Sequence, residues 1–268
     1  MTFFNNNASA NYEKLFYDFK INGIKNPGED VMAMRHALSK LGVEIFESNN
    51  AWIVKGVGED GFRNPGCVIN CENSGTAMRL LTVAVARIGE TITLDGDSSL
   101  RKRGHQEYWD ELRQIGIKIK PCMQNQSLPI EVKGPMNSGE ITLDVSKTSQ
   151  HLSALLLSMP AMKGSIRIQR KGELVSRRHA QLSFEIAQKC GSENAIEKDN
   201  LHNFKCIPPD LIEIPSDASH VAFAKLFEMI HGVKTSLPII DPNDCIGSEI
   251  LFEIDLTKRC EINLRDAN

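Results

Sequence analysis

The sequence lacks any apolar run near the length of about 18 residues that a membrane span requires. The longest, around Leu80–Ala86, falls far short of it. The N-terminal stretch from Met1 to Glu13 is rich in Asn and has no basic segment followed by an apolar one. That excludes a secretory signal there and leads to the expectation of a cytoplasmic chain. No CxxC pair is present. The seven cysteines, Cys67, Cys71, Cys122, Cys190, Cys206, Cys245 and Cys260, are scattered and odd in number. This fits free thiols in a reducing compartment better than a disulfide frame or a zinc site, so no metal is expected. A basic excess is missing too: 31 Lys and Arg stand against 34 Asp and Glu, for a net charge of −3. That balance argues against a dedicated nucleic-acid binder. There is no GxSxG, no Walker loop and no GxGxxG. What remains is a chain of 268 residues, 41% apolar and 24% charged. That is enough for one large globular domain or two small ones.

The feature most plainly present is repetition. Three amphipathic helix candidates end on Gly42, Gly116 and Gly191, which stand 74 and 75 residues apart. A closing Gly suits the left-handed C-terminal cap of a helix. A second, more apolar helix series starts at Asn73-Ser74-Gly75-Thr76, at Thr148-Ser149-Gln150 and at Asp217. Each of these begins on good N-capping residues. The apolar series is predicted to be buried and the first series to lie at the surface. Alternating segments between them, among them Trp52–Lys55, Thr91–Leu94, Ile130–Val132, Glu140–Asp144 and Ser165–Gln169, read as strands. The predicted fold class is α/β: three βαβαββ pseudo-repeats forming one lobe, with buried helices, starting near Thr76, Gln150 and Asp217, and sheets outside. After Gly232 the pattern weakens, although Glu249–Leu256 reads as a further strand.

The starts of the apolar helices concentrate small and polar residues. Free backbone N–H groups and the helix dipole make such a start an anion site in physical terms. Taken alone, an ordinary capped helix is the better explanation of the first and an adequate one of the second. Two cationic runs add to the picture: Arg101-Lys102-Arg103, and Arg167 through Arg170-Lys171 into Arg177-Arg178-His179. Both stand where a strand gives way to a surface helix, so both are expected at one edge of the domain. Arg forks there would pair with phosphate or carboxylate, although a solvated charged face accounts for such runs as readily. The other histidines, His36, His105, His151, His202, His220 and His231, show no metal-ligand spacing and read as structural or surface residues.

Five ordered segments together resemble the enolpyruvyl transferases, and within them the 5-enolpyruvylshikimate-3-phosphate synthases. They are Asn73-Ser-Gly-Thr-Ala-Met-Arg79, Gly96-Asp-Ser-Ser-Leu-Arg-Lys-Arg103, Thr148-Ser149-Gln150, Leu174-Val-Ser176 and Ser216-Asp217-Ala-Ser219. The resemblance runs from about Asp30 to Gly232, and the family's domain is also built of three βαβαββ units. It implies transfer of the enolpyruvyl group of phosphoenolpyruvate to the 5-hydroxyl of shikimate 3-phosphate, in aromatic amino acid biosynthesis, with no cofactor. By the same resemblance Gly75 and Arg103 face phosphoenolpyruvate. Thr148, Ser149 and Ser176 bind the shikimate phosphate, and Gln150 lies between the substrates. Asn73 and Arg79 shape the first helix start, and His179 stands where a Tyr is common.

The departures are equally specific. The family is two-lobed and much longer. Its Lys-bearing motif should precede the first helix, where this chain reads Asn5-Asn-Asn-Ala-Ser-Ala-Asn11. Its Asp general base follows a segment like Asn263–Asn268, and Gly104 and Leu80 stand where Pro is common. No catalytic acid or base is therefore assigned here. The expected organisation is a divergent N-terminal segment over 1–29, the lobe of three repeats over 30–240, and the start of a second lobe over 241–268. The second lobe would come from the same or another chain. The alternative is a non-catalytic anion-binding or regulatory relative. The sister transferase acting on a UDP-sugar is less consistent with Thr-Ser-Gln and Leu-Val-Ser, and RNA cyclases with the acidic balance.

Overall fold

The computed structural model describes residues 18–58, 61–192, 196–197, 199–215 and 218–236. Among them the chain forms three four-stranded sheets of a single topology. One contains β4 (Ile69–Asn70), β5 (Thr91–Asp95), β6 (Lys118–Pro121) and β7 (Ile130–Lys133), in the order β4-β5-β7-β6. β4 and β5 run parallel, while β5–β7 and β6–β7 are antiparallel. The next contains β8 (Gly139–Asp144), β9 (Ser165–Lys171), β10 (Ile196–Glu197) and β11 (Asn200–His202), in the order β8-β9-β11-β10. Again the first pair is parallel and the remainder antiparallel.

Parallel neighbours need a crossover, and a helix supplies it in each case. α2 (Gly75–Val85) joins β4 to β5, and α5 (Gln150–Ser158) joins β8 to β9. A second helix then leads into each hairpin: α4 (Gln106–Arg113), after the short α3 (Ser98–Lys102), and α6 (Arg177–Lys189). This is the βαβαββ unit twice over.

The third copy is assembled from both ends of the described chain. β1 (Asp18–Asn22), α1 (Glu29–Lys40), β2 (Glu44–Ser48) and β3 (Ala51–Lys55) come first in sequence. β12 (Leu211–Glu213) returns to pair parallel with β1, Lys20 opposite Leu211, and completes the order β12-β1-β3-β2. The three expected pseudo-repeats form, with one of them drawn from both ends of the described chain. The 75-residue repeat is real, but one unit is split between β12 with α7 (Ala218–His231) at one end of the described chain and β1, α1, β2 and β3 at the other. The glycines that end the surface helices, Gly42, Gly116 and Gly191, all have positive φ, at 102°, 84° and 100°.

Burial follows composition for two of the three apolar helices. α2 buries Ala77, Met78, Leu81 and Val85, and packs against α5, which buries Leu152, Leu155 and Leu156. Alternate strand residues close over them: Ile92, Leu94, Ile130, Val132, Ile141, Ile166 and Ile168. The sheets thus lie outside the helices, with one face each toward the core. α7 (Ala218–His231) departs from the expected central bundle. It buries Val221 but leaves Phe223 73% exposed, Phe227 51% and Ile230 62%. Hydropathy reports how apolar a helix is, not what covers it. The expected strand Glu249–Leu256 lies outside the described residues. No helix among the described residues is long and apolar enough to cross a membrane.

Candidate functional site

The starts of α2 and α5 meet at one edge of the lobe. At α2 the N-cap is Ser74, buried and extended, whose Oγ accepts the Ala77 N–H at 3.1 Å. Gly75 follows, and the absence of a Cβ is used directly. A Cβ there would lie 3.0 Å from Arg79 Nη1 and 3.3 Å from Arg103 Nη1. Two guanidinium groups therefore close over the first turn. Arg103 reaches it because α3 ends at Lys102 and the chain leaves extended, with Ser127 Oγ donating to the Arg103 carbonyl at 2.6 Å. Arg103 Nη2 also donates to Asn73 Oδ1. Arg79 holds its charge less firmly than a free arginine, first because it is partly buried.

Gln150 joins the two helices. Its Oε1 accepts from Arg79 Nη1 at 2.8 Å, and its Nε2 donates to Thr76 Oγ1 at 3.1 Å. Its own N–H donates to Thr148 Oγ1 at 3.1 Å. Ser149, the buried N-cap of α5, makes no capping hydrogen bond with its side chain. The loop before α6 lies alongside: Val175 N–H donates to Val145 O at 3.1 Å, and Gly172 sits against Ser146. This brings Ser176 to the same edge. Ser176 is the N-cap of α6, has φ 50° and ψ 46°, and also makes no capping bond with its side chain. A left-handed Ser is uncommon and costs energy that the surroundings must supply; such outliers cluster at ligand sites. His179 lies exposed in the first turn of α6.

All nine residues singled out from the sequence, Asn73, Gly75, Arg79, Arg103, Thr148, Ser149, Gln150, Ser176 and His179, thus sit at or beside these helix starts. The wider arginine runs do not gather there. Arg101 pairs with Asp95 through Nε–Oδ1 at 2.9 Å and Nη2–Oδ2 at 2.5 Å. Arg167 lies exposed on β9 beside Glu140, Arg170 pairs with Asp199 at 2.6 Å, and Arg178 with Glu185 at 2.7 Å. A carboxylate next in space neutralises each of these, which a charge run read along the chain does not reveal. Ser216 and Asp217 lie outside the described residues.

Sequence reasoning missed what stands behind the site. A cavity of about 450 Å³ is lined by Arg79, His105, Tyr108, Lys147, Thr148 and His151, among others. Tyr108 stacks on His151 with centroids 4.0 Å apart, and its hydroxyl donates to the Arg79 carbonyl at 3.0 Å. His151 Nδ1 lies 2.8 Å from Glu111 Oε2, and neither atom has another partner among the described residues. Glu111 Oε1 accepts the Asp144 N–H at 2.8 Å, at the end of β8. His105 is 3% exposed, and its Nε2 has no hydrogen-bond partner among the described residues. Burial first, then the nearby Arg79 charge, brings its pKa down to about 4. The signal was present: Glu111 falls on the apolar face of α4, between Tyr108 and Leu112, where a carboxylate needs a partner.

Three like-ordered sheets around buried helices, with two helix starts and two guanidinium groups at one edge, define an α/β lobe of the enolpyruvyl-transferase kind. Solved structures share it. An EPSP synthase from Acinetobacter baumannii superposes with a TM-score of 0.66 at 24% identity, over 78% of this chain and 46% of that one. The enolpyruvyl transferase NikO from Streptomyces tendae gives 0.54 at 11% identity, over 78% and 48%.

Residues 22–245 match the family model described as EPSP synthase (3-phosphoshikimate 1-carboxyvinyltransferase), and the chain belongs to that family. Similar curated proteins carry the name 3-phosphoshikimate 1-carboxyvinyltransferase. One from Methanocorpusculum labreanum is 28% identical over 85% of this chain and 54% of its own length. One from Methanothrix thermoacetophila is 33% identical over 63% and 40%. The chain spans about half the length of the curated relatives it matches.

Proposed function

We propose that this chain is the shikimate-3-phosphate-binding lobe of a 3-phosphoshikimate 1-carboxyvinyltransferase. Together with a second lobe, it would transfer the enolpyruvyl group of phosphoenolpyruvate to the 5-hydroxyl of shikimate 3-phosphate in the cytoplasm. In this reading residues 30–240 are the binding lobe and 241–268 begin its complement. The start of α5 takes the shikimate phosphate through Thr148, Ser149 and, from the neighbouring loop, Ser176. Arg103 and Gly75 take phosphoenolpyruvate at the start of α2. Asn73 and Arg79 hold that start in shape, and His179 lines the shikimate side. The observation that carries the reading is Gln150, which stands at the start of α5 while its side-chain amide is hydrogen-bonded to Arg79 and Thr76 at the start of α2. It is placed to set the spacing of two anions.

The chemistry suits the arrangement. Two anions must be brought together, and charge develops on a tetrahedral intermediate. Fixed dipoles and guanidinium groups supply both proximity and electrostatic stabilisation. Hydroxyls left out of capping are free to donate to phosphate, and hydrogen bonds to a charged acceptor contribute about 1.5–3 kcal/mol each. The residues here bind and orient; acid–base catalysis falls to the other lobe.

Titration calorimetry with shikimate 3-phosphate tests the reading. The lobe alone should bind with a dissociation constant near 1 mM, about −4 kcal/mol. Ser149→Ala combined with Ser176→Ala should abolish binding, whereas Ser39→Ala on the exposed face of α1 should leave it unchanged. Equal binding by the double variant would put the phosphate elsewhere. One observation favours the second reading, a non-catalytic anion-binding relative: residues 5–11 carry neither Lys nor Arg. Turnover on addition of a complementing lobe separates the two.

A further inference from the structure

We propose that Cys190 and Cys206 form a reversible disulfide, a redox-sensitive staple between the end of α6 and the segment that leads into β12. The two residues are 16 apart in sequence, with nothing in their spacing to mark them. In the fold they are neighbours. Cys190 is the C-cap of α6, and its carbonyl accepts the Ile207 N–H at 2.8 Å. Gly191, next in the chain, packs against the Lys205 carbonyl. The segments at 190–191 and 205–207 therefore run side by side, which brings Cys190 and Cys206 close enough for each thiol to bear on the other's ionisation. Both are partly exposed, unlike the fully buried Cys71, so a small oxidant can reach them.

The surroundings also choose which sulfur acts first. The neighbouring Cys190 thiol, and the charge of nearby Arg87, bring the Cys206 thiol below the ordinary range, against the opposing effect of burial. The same pairing, with burial, pushes Cys190 up. Arg87 is held in place over the Phe62 ring, 5.5 Å from its centroid. A thiolate with a pKa near ambient pH is the effective nucleophile in thiol–disulfide exchange.

The step balances with a low-molecular-weight disulfide such as oxidised glutathione. The Cys206 thiolate attacks one sulfur of the oxidant, forming a mixed disulfide and releasing one glutathione thiolate. Cys190, giving up its proton to solvent, attacks Cys206 Sγ and expels the second glutathione. Two thiols are oxidised, one disulfide is reduced to two thiols, and excess reduced glutathione reverses the exchange. The staple fixes the far end of α6, the helix that begins at Ser176.

The test is to equilibrate the intact chain in glutathione buffers of increasing oxidised fraction, block free thiols, and map tryptic peptides without reduction. The expected result is a cross-linked pair, the peptide beginning at Cys190 joined to the peptide beginning at Cys206, removed by dithiothreitol. The oxidised chain should melt about 5–10 °C higher, since a loop of this length is closed in the unfolded state. Recovery of the two cysteines as separate glutathione adducts, or joined to Cys67 or Cys122 as often as to each other, would overturn the proposal. Alkylation gives a second readout that needs no oxidation. The rate at Cys206 should rise at a lower pH in the parent than in Cys190→Ser, where it moves toward the ordinary thiol range. The same midpoint in the parent and in Cys190→Ser would contradict the pairing.

Discussion

α2 and α5 occupy equivalent places in two copies of one unit, yet their first turns are built differently. Ser74 uses its hydroxyl to cap α2, and two guanidinium groups cover Gly75 beside it. Ser149 stands at the same point of α5 without a capping side-chain bond, flanked by Thr148 and by Ser176 held in a left-handed conformation. One start is closed by its own residues and cationic at its rim. The other is left with hydroxyls to offer. A repeated fold thus supplies two helix starts of different character, and Gln150 ties one to the other.

The largest expected effect concerns what supports the guanidinium side. His105 is buried near Arg79 and Arg103, with a folded pKa of about 4 against an ordinary 6.5. A depressed pKa means that the unfolded chain binds the proton more readily. Its contribution to stability is present above pH 6.5 and is lost as pH falls from 6.5 toward 4. The adjoining cavity admits solvent, so the full shift is discounted, and about 2 kcal/mol should disappear over that window. Urea unfolding at a series of pH values checks this, and His105→Leu should flatten the slope. A parent whose stability is constant from pH 7 to 4.5 would mean that His105 is not buried as described.

A somewhat smaller effect tests the bridge. Gln150→Leu removes the Arg79 and Thr76 hydrogen bonds together and leaves a half-buried guanidinium with one partner fewer. It should destabilise the chain by about 1.5 kcal/mol in urea unfolding and uncouple the two starts. In double-variant cycles with Arg79→Met, the two losses should not add. Simple additivity would show that the amide is a bystander.

The smallest effects sharpen the contrast itself. Ser74→Ala should cost about 1 kcal/mol, the usual loss of an N-cap, whereas Ser149→Ala should stay within about 0.5 kcal/mol. Thermal unfolding resolves the two. Equal losses would mean that both hydroxyls cap their helices and that α5 has none to spare.

Much of this was legible in the sequence, because periodicity and closing glycines are local. α2 and α5 begin within a residue of where Asn73–Thr76 and Thr148–Gln150 place them, and β5, β7, β8 and β9 overlap their alternating segments. The order of the motifs also located Gly75, Arg79, Arg103 and Gln150, which do meet. What could not be read are facts about neighbours distant in sequence. β12 closing on β1, Asp95 claiming Arg101, Glu111 facing His151 and the segment at Cys206 lying beside Cys190 all depend on chain return. Apolar composition likewise placed α7 among the buried helices, whereas it presents Phe223 and Ile230 to solvent.

Amide chemical-shift mapping addresses the central claim most directly. With isotopically labelled chain and shikimate 3-phosphate at several millimolar, the largest shifts should fall on Ser149, Gln150, His151, Arg177 and Arg178. Those at Gly75, Thr76 and Ala77 should be smaller, and inorganic phosphate should reproduce the α5 pattern in weaker form. Shifts concentrated at the start of α2, or none anywhere in a chain with dispersed, folded spectra, would contradict the assignment of the phosphate to α5.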